Sequence, residues 1–401
     1  MKAAAAALIW AVFASTASAC PPSVTDSFRD ALSARNEARI YAAANAAHKC
    51  LGDPKPETPE RYTTPAAANG PPTLDNLRAY WRAAEQQMWW LNAPQRPATE
   101  ARAPLRVPAA VLRGAAMAAR HDHDERARYI ETGRKTAAYL QAAQTAAGNG
   151  VFPVPAWEGK SEDRVRTLTD RFVKQARARG DLDAATRNGW IIDDRGAGDL
   201  AFDNGLAGEA LLLFHAVDPQ TAYLDAARKA GEWAMRQPLS TNFNYNGFSA
   251  ALLARLYQAT KDRRYRDEAV ARIKLGVLPG MIPDGRFAGH WIDPHNERLV
   301  YRLIMIRQMT VVVSALDAAD PDRAFIATRA ATALAAAEAQ MNAAGGIAHP
   351  ATLIMTYCDK VAAPQRSAIE RQTITHILAS LPAKRVAYDP AAVHCAMTAS
   401  P

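Results

Sequence analysis

The sequence predicts an all-α fold made of repeated helical hairpins. Four segments share one amphipathic pattern that opens on an aromatic residue; they begin at Tyr129, Tyr223, Tyr265 and Phe325. Around the second and third of these segments the pattern repeats without a gap, because Asn204-Gly205 recurs as Asn246-Gly247 at an offset of 42 residues. A repeat of this length is one helical hairpin, which cannot bury its apolar face alone. The copies must therefore stack into a solenoid or close into a ring.

The periodicity of apolar residues supports helices along most of the chain. Apolar residues recur at helical spacing from Leu77 to Asn92, from Ala109 to His121 and from Arg126 to Thr145, and no run alternates as a strand does. The more apolar stretches, 206–217 and 248–259, are predicted to be inner helices, and the segments that open on an aromatic residue are predicted to be their outer partners.

Short turns join each inner helix to its outer helix, whereas the return connections are long. The long connections span about 146–157, 188–204, 238–246 and 279–296. In a stack of parallel hairpins these connections all emerge on one rim, where function is expected to concentrate.

The N-terminus has the features of an export signal. Met1-Lys2 precedes an apolar run and the small residues Ala17-Ser18-Ala19, so we expect a signal peptide over 1–19 and a soluble mature protein that is periplasmic or secreted. No later segment reaches the ~20 apolar residues of a membrane helix. A lipid anchor on Cys20 is the alternative, because this cysteine directly follows the small residues.

The four cysteines fit two disulfides in an oxidising compartment. The favoured pairing is Cys20 with Cys50 and Cys358 with Cys395, since each bond ties a terminal segment locally. We expect an N-terminal extension with a proline-rich linker over 20–72, the hairpin domain over 73–345, and a C-terminal helix with a disulfide-tied tail over 346–401.

The formal charge of +8 is spread over the chain, with no arginine-rich run or nucleic-acid motif. Basic surface helices explain this charge as well as an acidic partner does. His121-Asp122-His123-Asp124-Glu125 resembles a metal cluster in composition, but its residues do not share a helix face. No metal, cofactor or nucleic acid is predicted, and the oligomeric state is left open.

The long loops are rich in aromatic, amide, carboxylate, histidine and arginine side chains, which is typical of a sugar site. The predicted substrate-binding residues are Trp157, Trp190, Trp291, Asn204, Asn246, His295, Arg298 and Arg302. The predicted catalytic residues are Asp194, Asp203, Tyr245, His290 and Tyr301.

Two reaction types fit these residues. Hydrolysis needs an acid and a carboxylate base, for which the candidates are Asp193, Asp194, Asp199, Asp203 and Asp293. Elimination from a uronic acid needs groups that neutralise its carboxylate, such as Asn246, His290, Arg298 and Arg302, and a base such as Tyr245, Tyr301 or His295.

Structural roles remain open for several of these residues. Asn204 and Asn246 also fit helix N-caps, and Asp193 and Asp194 also fit braces of their glycine-rich loop.

The hairpins of about 40 residues, the recurring Tyr-x-(Asp/Glu)-x-(Ala/Gly) segments and the Asn-Gly pairs together resemble the (α/α) toroid superfamily. This superfamily contains polysaccharide lyases, glycoside hydrolases and sugar epimerases. The resemblance covers Tyr80 to Met341 and implies an (α/α)6-type toroid with long loops on one rim. Together with the export signal, it favours an exported enzyme that cleaves a poly- or oligosaccharide. We place β-elimination of a uronate ahead of inverting hydrolysis because the loop nearest the predicted cleft is rich in His, Asn, Tyr and Arg. A non-catalytic helical scaffold that binds glycans or proteins is the alternative from another class.

Overall fold

The computed structural model describes residues 20–56, 73–92, 105–147, 150, 152, 197–359, 366–380 and 389–399. These residues are helical apart from turns and one isolated bridge between Met281 and Trp291, which confirms the all-α prediction. The predicted signal peptide lies outside the described residues, as do Trp157, Trp190, Asp193, Asp194 and Arg195.

Fourteen α-helices lie in the described ranges: α1 Pro22–Ser33, α2 Glu37–Leu51, α3 Leu74–Glu85, α4 Arg106–His121, α5 Arg126–Ala147, α6 Ala197–His215, α7 Thr221–Arg236, α8 Phe243–Thr260, α9 Arg263–Gly276, α10 Leu299–Ala315, α11 Pro321–Ala344, α12 Pro350–Cys358, α13 Ala368–Ser380 and α14 Pro390–Ala399.

Six of these helices form a closed inner ring. Helices α4, α6, α8, α10, α12 and α14 each pack against the next, and α14 also packs against α4. Helices α5, α7, α9, α11 and α13 each pack against the inner helix that precedes them, and α3 contacts α14 in the remaining outer position. The fold is therefore the (α/α)6 toroid that the sequence predicted.

The ring extends beyond the predicted boundary at residue 345. Helices α12 and α14 are two of its six inner helices, so the residues described after position 345 belong to the ring and not to a separate tail. The prediction missed them because α12 has 9 residues and α14 has 10, too short to show the hairpin pattern. The N-terminal hairpin α1–α2 lies outside the ring of helices. There the phenyl group of Phe28 contacts that of Phe243 edge-on, with 5.9 Å between their centroids.

Both predicted disulfides form. Cys20 bonds Cys50 with 5.6 Å between their Cα atoms, and Cys358 bonds Cys395 with a Cα separation of 6.0 Å. The second bond links α12 to α14 inside the ring. None of the helices described is long and apolar enough to cross a membrane.

The asparagines of the two Asn-Gly pairs lie within the inner helices α6 and α8. Their side chains form hydrogen bonds to the backbone of the neighbouring outer helices and loops. Helices α6 and α8 begin before Asn204 and Asn246, so the N-cap interpretation of both residues is wrong. Asn204 Nδ2 donates to the carbonyl of Ala230 at 2.9 Å. Asn246 Nδ2 donates to the carbonyls of Gly276 at 2.7 Å and Ser240 at 2.8 Å, and its Oδ1 accepts from Ser240 N. Both amides are buried, so their hydrogen bonds stabilise the packing of each hairpin.

The glycines of these pairs allow adjacent inner helices to approach closely. A Cβ at Gly205 would run into the backbone of Phe248 on α8, and a Cβ at Gly247 would run into the side chain of Gln308 on α10. Each Asn-Gly pair therefore marks a contact between inner helices rather than a helix start.

Candidate functional site

Asp203 is held in an ion pair near the long-loop end of the ring. Nε and Nη2 of Arg106 on α4 donate to its two carboxylate oxygens at 2.8 and 3.2 Å. Asp203 is only 2% exposed, whereas the side chain of Arg106 is half-exposed and lies 3.8 Å over the ring of Phe202. The group that faces solvent here is therefore the arginine and not the predicted carboxylate.

His290, Trp291 and Arg302 pack the loop before α10 onto the outer helix α11. His290 Nδ1 lies 2.6 Å from Glu297 Oε1, and the other oxygen of Glu297 accepts from the backbone N–H of Trp291 at 2.8 Å. Arg302 contacts the same carboxylate at 3.4 Å and donates to Gln340 of α11 at 2.5 Å. Trp291 and Arg302 are both 0% exposed. Neither side chain is accessible to a ligand in this arrangement, and both pack the loop.

Asp293 has a structural role in the same loop. Its carboxylate accepts from Nδ2 of Asn296 at 3.0 and 3.2 Å, and Asn296 Oδ1 accepts from Nδ2 of Asn244 at 2.9 Å. All three side chains are buried. This chain of hydrogen bonds ties the loop before α10 to the first turn of α8.

Three predicted site residues do come together at the start of α10. Arg298 Nη2 lies 2.7 Å from His295 Nδ1, the His295 ring stacks 4.3 Å from Tyr301, and the Arg298 guanidinium lies 4.5 Å over Tyr301. All three are half-buried. Burial, with a smaller contribution from Arg298, lowers the pKa of His295 to about 3. The imidazole is neutral, and because Nδ1 accepts from Arg298, Nε2 carries the hydrogen and can donate it.

Tyr245 is half-buried in the first turn of α8, next to Asn244, which bonds Asn296 of the loop that carries His295. We call His295, Arg298 and Tyr301 the rim cluster; the hydrogen bond between Asn244 and Asn296 joins its loop to the helix that carries Tyr245.

The inner face of α4 carries arginines that the sequence interpretation missed. Arg106, Ala110, Arg113, Met117 and Arg120 follow one another at three- or four-residue spacing, so they share one face of the helix. Arg106 and Arg120 are exposed, and Ala110 and Met117 are half-buried. The two ends of this face are therefore accessible to solvent, whereas Arg113 in its middle is buried and bonds Asp389.

Ion pairs cross the interior of the ring. Glu209 on α6 accepts from Nη2 and Nη1 of Arg307 on α10 at 2.7 and 3.1 Å, although α8 separates these two helices. Arg255 on α8 donates to Asp359, just after α12, at 3.0 Å, and Arg307 Nε donates to the same carboxylate at 2.6 Å. We call these four residues the axial cluster. Since they join helices that are not neighbours, they must lie within the ring.

The electrostatics of the axial cluster keep its acid ionised. Burial alone would raise the pKa of Glu209, but Arg307 and Arg255 outweigh it and lower that pKa to about 2. Phe202, Leu206 and Leu213 lie on the same face of α6 as Glu209 and are half-buried. Such burial is expected of residues that line a partly open cavity within the ring.

Two sequence signals could have located this interior. The arginines of α4 recur every seven residues, a spacing that keeps them on one side of a helix. Glu209 and Arg255 interrupt the apolar stretches 206–217 and 248–259, and a buried charge in such a stretch needs a partner of opposite charge.

No set of three His, Cys, Asp or Glu side chains in the described ranges is placed to hold a metal ion. In the histidine-rich segment after α4, Asp122 instead accepts from Arg78 at 2.7 and 2.8 Å and from the hydroxyl of Tyr129 at 2.9 Å. This segment therefore joins α3 to α5.

Comparison with known proteins yields no family. No protein-family profile matches the chain, and no curated protein sequence matches it. Among solved structures the chain is similar to a glycosyl hydrolase of family 88 from Bacteroides vulgatus, with 11% identity, 80% of this chain and 83% of that chain covered, and a TM-score of 0.42. A similarity of this size carries no argument, and the toroid assignment rests on the helix contacts of this chain.

Proposed function

We propose that the protein is an exported enzyme that cleaves an acidic poly- or oligosaccharide by β-elimination inside the ring. The observation that carries this proposal is the arginine-lined interior face of α4, where a ring built only for packing would be apolar. Guanidinium groups pair with planar carboxylates, which are the distinguishing groups of uronic acids. Export is supported by the N-terminal sequence and by the two disulfides.

The rim cluster supplies groups that suit elimination. In the proposed reaction Tyr301, as its phenolate, takes the proton from C5 of the uronate, the C5–H electron pair forms the double bond between C4 and C5, and the C4–O bond breaks. Tyr245 protonates the departing oxygen, and proton exchange with solvent then restores both tyrosines. Arg106 and Nε2–H of His295 neutralise the charge that develops on the substrate carboxylate, and Arg298 lies over the Tyr301 ring.

Hydrolysis fits the described carboxylates less well. An inverting hydrolase needs one carboxyl group that is protonated at the start of the reaction. Asp203 forms an ion pair with Arg106, and arginine contacts lower the pKa of Glu209 to about 2. Both carboxylates are therefore paired with arginine, which disfavours the protonated form that the acid of a hydrolase needs. Asp193, Asp194 and Asp199 remain the candidates on which the hydrolytic alternative depends.

The test is to incubate the mature protein with a panel of uronans and neutral glycans, recording the ultraviolet absorbance of unsaturated products together with reducing ends. Elimination predicts both signals from a uronan, and Tyr301→Phe should lower kcat at least about a hundredfold. Tyr257→Phe is the matched control, because Tyr257 lies far along α8 and faces Lys261.

Reducing ends without absorbance would replace elimination with hydrolysis. Binding without any product from any glycan would favour the non-catalytic scaffold.

A further inference from the structure

We propose that His121 and His394, together with the thioethers of Met117 and Met397, bind one Cu(I) ion at the place where the inner ring closes. The four side chains belong to α4 and α14, which are the first and the last inner helices and pack against each other. This inference does not rest on the proposed function. It is argued from the burial of one imidazole, the contact between the two histidine rings and the register of the two helices.

His394 is a buried side chain whose polar atoms require an explanation. It is only 2% exposed, and neither of its ring nitrogens has a hydrogen-bond partner among the residues that the structure describes. A neutral imidazole carries one N–H donor and one acceptor nitrogen, and here both are unsatisfied. Buried polar groups are nearly always satisfied, and a bound ion is one of the reasons for an exception. The acceptor nitrogen of His394 is therefore available as a metal ligand.

The ring of His121 contacts the ring of His394. Their centroids are 5.2 Å apart, and their planes meet at 69°. Two imidazoles that bind the same tetrahedral ion through bonds of about 2.0–2.1 Å have centroids roughly 5 Å apart. The two rings are therefore already at the spacing that a shared ion requires. His121 is exposed whereas His394 is buried, so an ion can reach the pair from solvent.

The register of α4 against α14 follows from two further contacts between these helices. Arg113 donates to Asp389, which lies 276 residues later in the chain. A Cβ at Gly114 would lie 2.8 Å from the side chain of Pro390, at the same offset. The two histidines meet further along both helices. Helices α4 and α14 therefore run parallel, and a residue of α4 lies level with the residue of α14 that comes about 276 positions later.

This register places two methionines beside the histidines. Met117 comes four residues before His121 on α4, and Met397 comes three residues after His394 on α14, so each methionine shares a helix face with its histidine. Position 397 is also level with position 121. Both methionines are half-buried and pack against the core. The site thus combines two imidazoles with two thioethers.

The donor atoms of this site favour a soft ion of low charge. Thioethers and imidazoles suit Cu(I), whereas carboxylates, carbonyls and water suit Mg²⁺, Ca²⁺ and Mn²⁺. The neighbouring carboxylate of Asp122 already accepts from Arg78 at 2.7 and 2.8 Å and from the hydroxyl of Tyr129 at 2.9 Å. The exposed Arg120, which precedes His121, adds a positive charge. Since repulsion grows with the charge of the ion, a monovalent ion is favoured over a divalent one.

Anaerobic competition for Cu(I) between the mature protein and a chromogenic chelator tests the site. We expect one ion per chain, bound more tightly than Zn²⁺, and no thiolate competes because all four cysteines form disulfides. Loss of a group that only supports a metal ligand typically lowers affinity about 10–100-fold, so loss of a ligand should cost at least as much. His394→Leu should therefore weaken Cu(I) binding about a hundredfold or more, and Met117→Leu and Met397→Leu about tenfold or more each.

The two methionine variants keep the test decisive even if His394→Leu does not fold, because leucine replaces methionine at nearly constant volume. Their matched control is Met235→Leu, since Met235 is half-buried on the outer helix α7 and should not affect Cu(I) binding. An ion that joins the first and last inner helices should also raise the Tm of the wild type, and it should raise the Tm of the double variant of Met117 and Met397 less.

X-ray absorption of the Cu(I) form should show both nitrogen and sulfur neighbours of the metal. The proposal is overturned if the wild type binds no Cu(I) or binds Zn²⁺ more tightly. It is also overturned if Met117→Leu and Met397→Leu both keep the affinity of the wild type, or if the metal has neighbours of only one kind.

Discussion

Replacing Glu209 with glutamine tests the ion pairs that cross the ring, because it removes one charge and keeps the shape of the side chain. Arg307 and Arg255 then have only the carboxylate of Asp359 to share between two positive charges. The difference between the ordinary pKa of 4.5 and the folded value of about 2 corresponds to about 3 kcal/mol of stability at neutral pH. Breaking a buried pair on one side typically costs about 3–5 kcal/mol. We therefore expect Glu209→Gln to lose about 3–5 kcal/mol.

The effect should depend on pH with a defined sign. Because the folded pKa of Glu209 is lowered, its stabilisation is complete above pH 4.5 and is lost as the pH falls towards 2. About 2 kcal/mol of the difference between wild type and variant should be gone at pH 3. Urea unfolding followed by tryptophan fluorescence measures this, since urea, unlike guanidinium, does not screen charges.

Glu131→Gln is the control for this experiment, because Glu131 pairs with Lys135 on the exposed face of α5 and should change stability by less than about 1 kcal/mol. Arg307→Met in the Glu209→Gln background should recover part of the loss, because it removes the buried positive charge that Asp359 alone does not balance against Arg255 and Arg307. A loss below about 1 kcal/mol for Glu209→Gln at pH 7, or a loss that stays constant down to pH 3, would contradict this account of the axial cluster.

Two further predictions concern residues that hold the ring together. Changing Cys358 and Cys395 to serine opens a loop with a sequence separation of 37. Thermal unfolding should then show a loss of up to about 4 kcal/mol in the free energy of unfolding. An unchanged Tm would show that α14 is held in the ring without the disulfide. Asn246→Ala removes the hydrogen-bonding partner of the Ser240 backbone and of the Gly276 carbonyl. Urea unfolding should show that the free energy of unfolding falls by about 2–3 kcal/mol. If Asn246 instead serves only the substrate, as the sequence predicted, KM would rise while stability stayed at the wild-type value.

The hairpins were predictable because their signal is local. The offset of 42 residues between the two Asn-Gly pairs places α6 to α9 in order, and the short turns between inner and outer helices limit how each pair can pack. Closure of the ring was not predictable in the same way. It depends on contacts such as that between Arg113 and Asp389, which are 276 residues apart and belong to no repeated pattern.

The candidate site was predictable only in part, because loop composition does not reveal the direction of a side chain. His295, Arg298 and Tyr301 were selected for density of polar and aromatic groups, and they do meet. Trp291 was selected on the same ground, yet it is buried under the loop that carries it. The backbone N–H and C=O groups of a buried loop need polar side chains as hydrogen-bond partners. A loop rich in polar residues is therefore typical both of a binding site and of a loop that packs against the protein interior.

The two aligned repeats carry different residues at the positions that face the interior of the ring. Both asparagines and both glycines of the Asn-Gly pairs recur because each hairpin needs the same hydrogen bonds and the same close approach. At the interior positions the copies diverge: Glu209 corresponds to Ala251, and Leu213 corresponds to Arg255. Six equivalent hairpins would put the same side chain around the axis six times, which for a charge would mean mutual repulsion. Pairing Glu209 with arginines from other helices requires the copies to differ. Residues that break the repeat on the inner face are therefore the first candidates for function in this ring, and those that keep it are candidates for the scaffold.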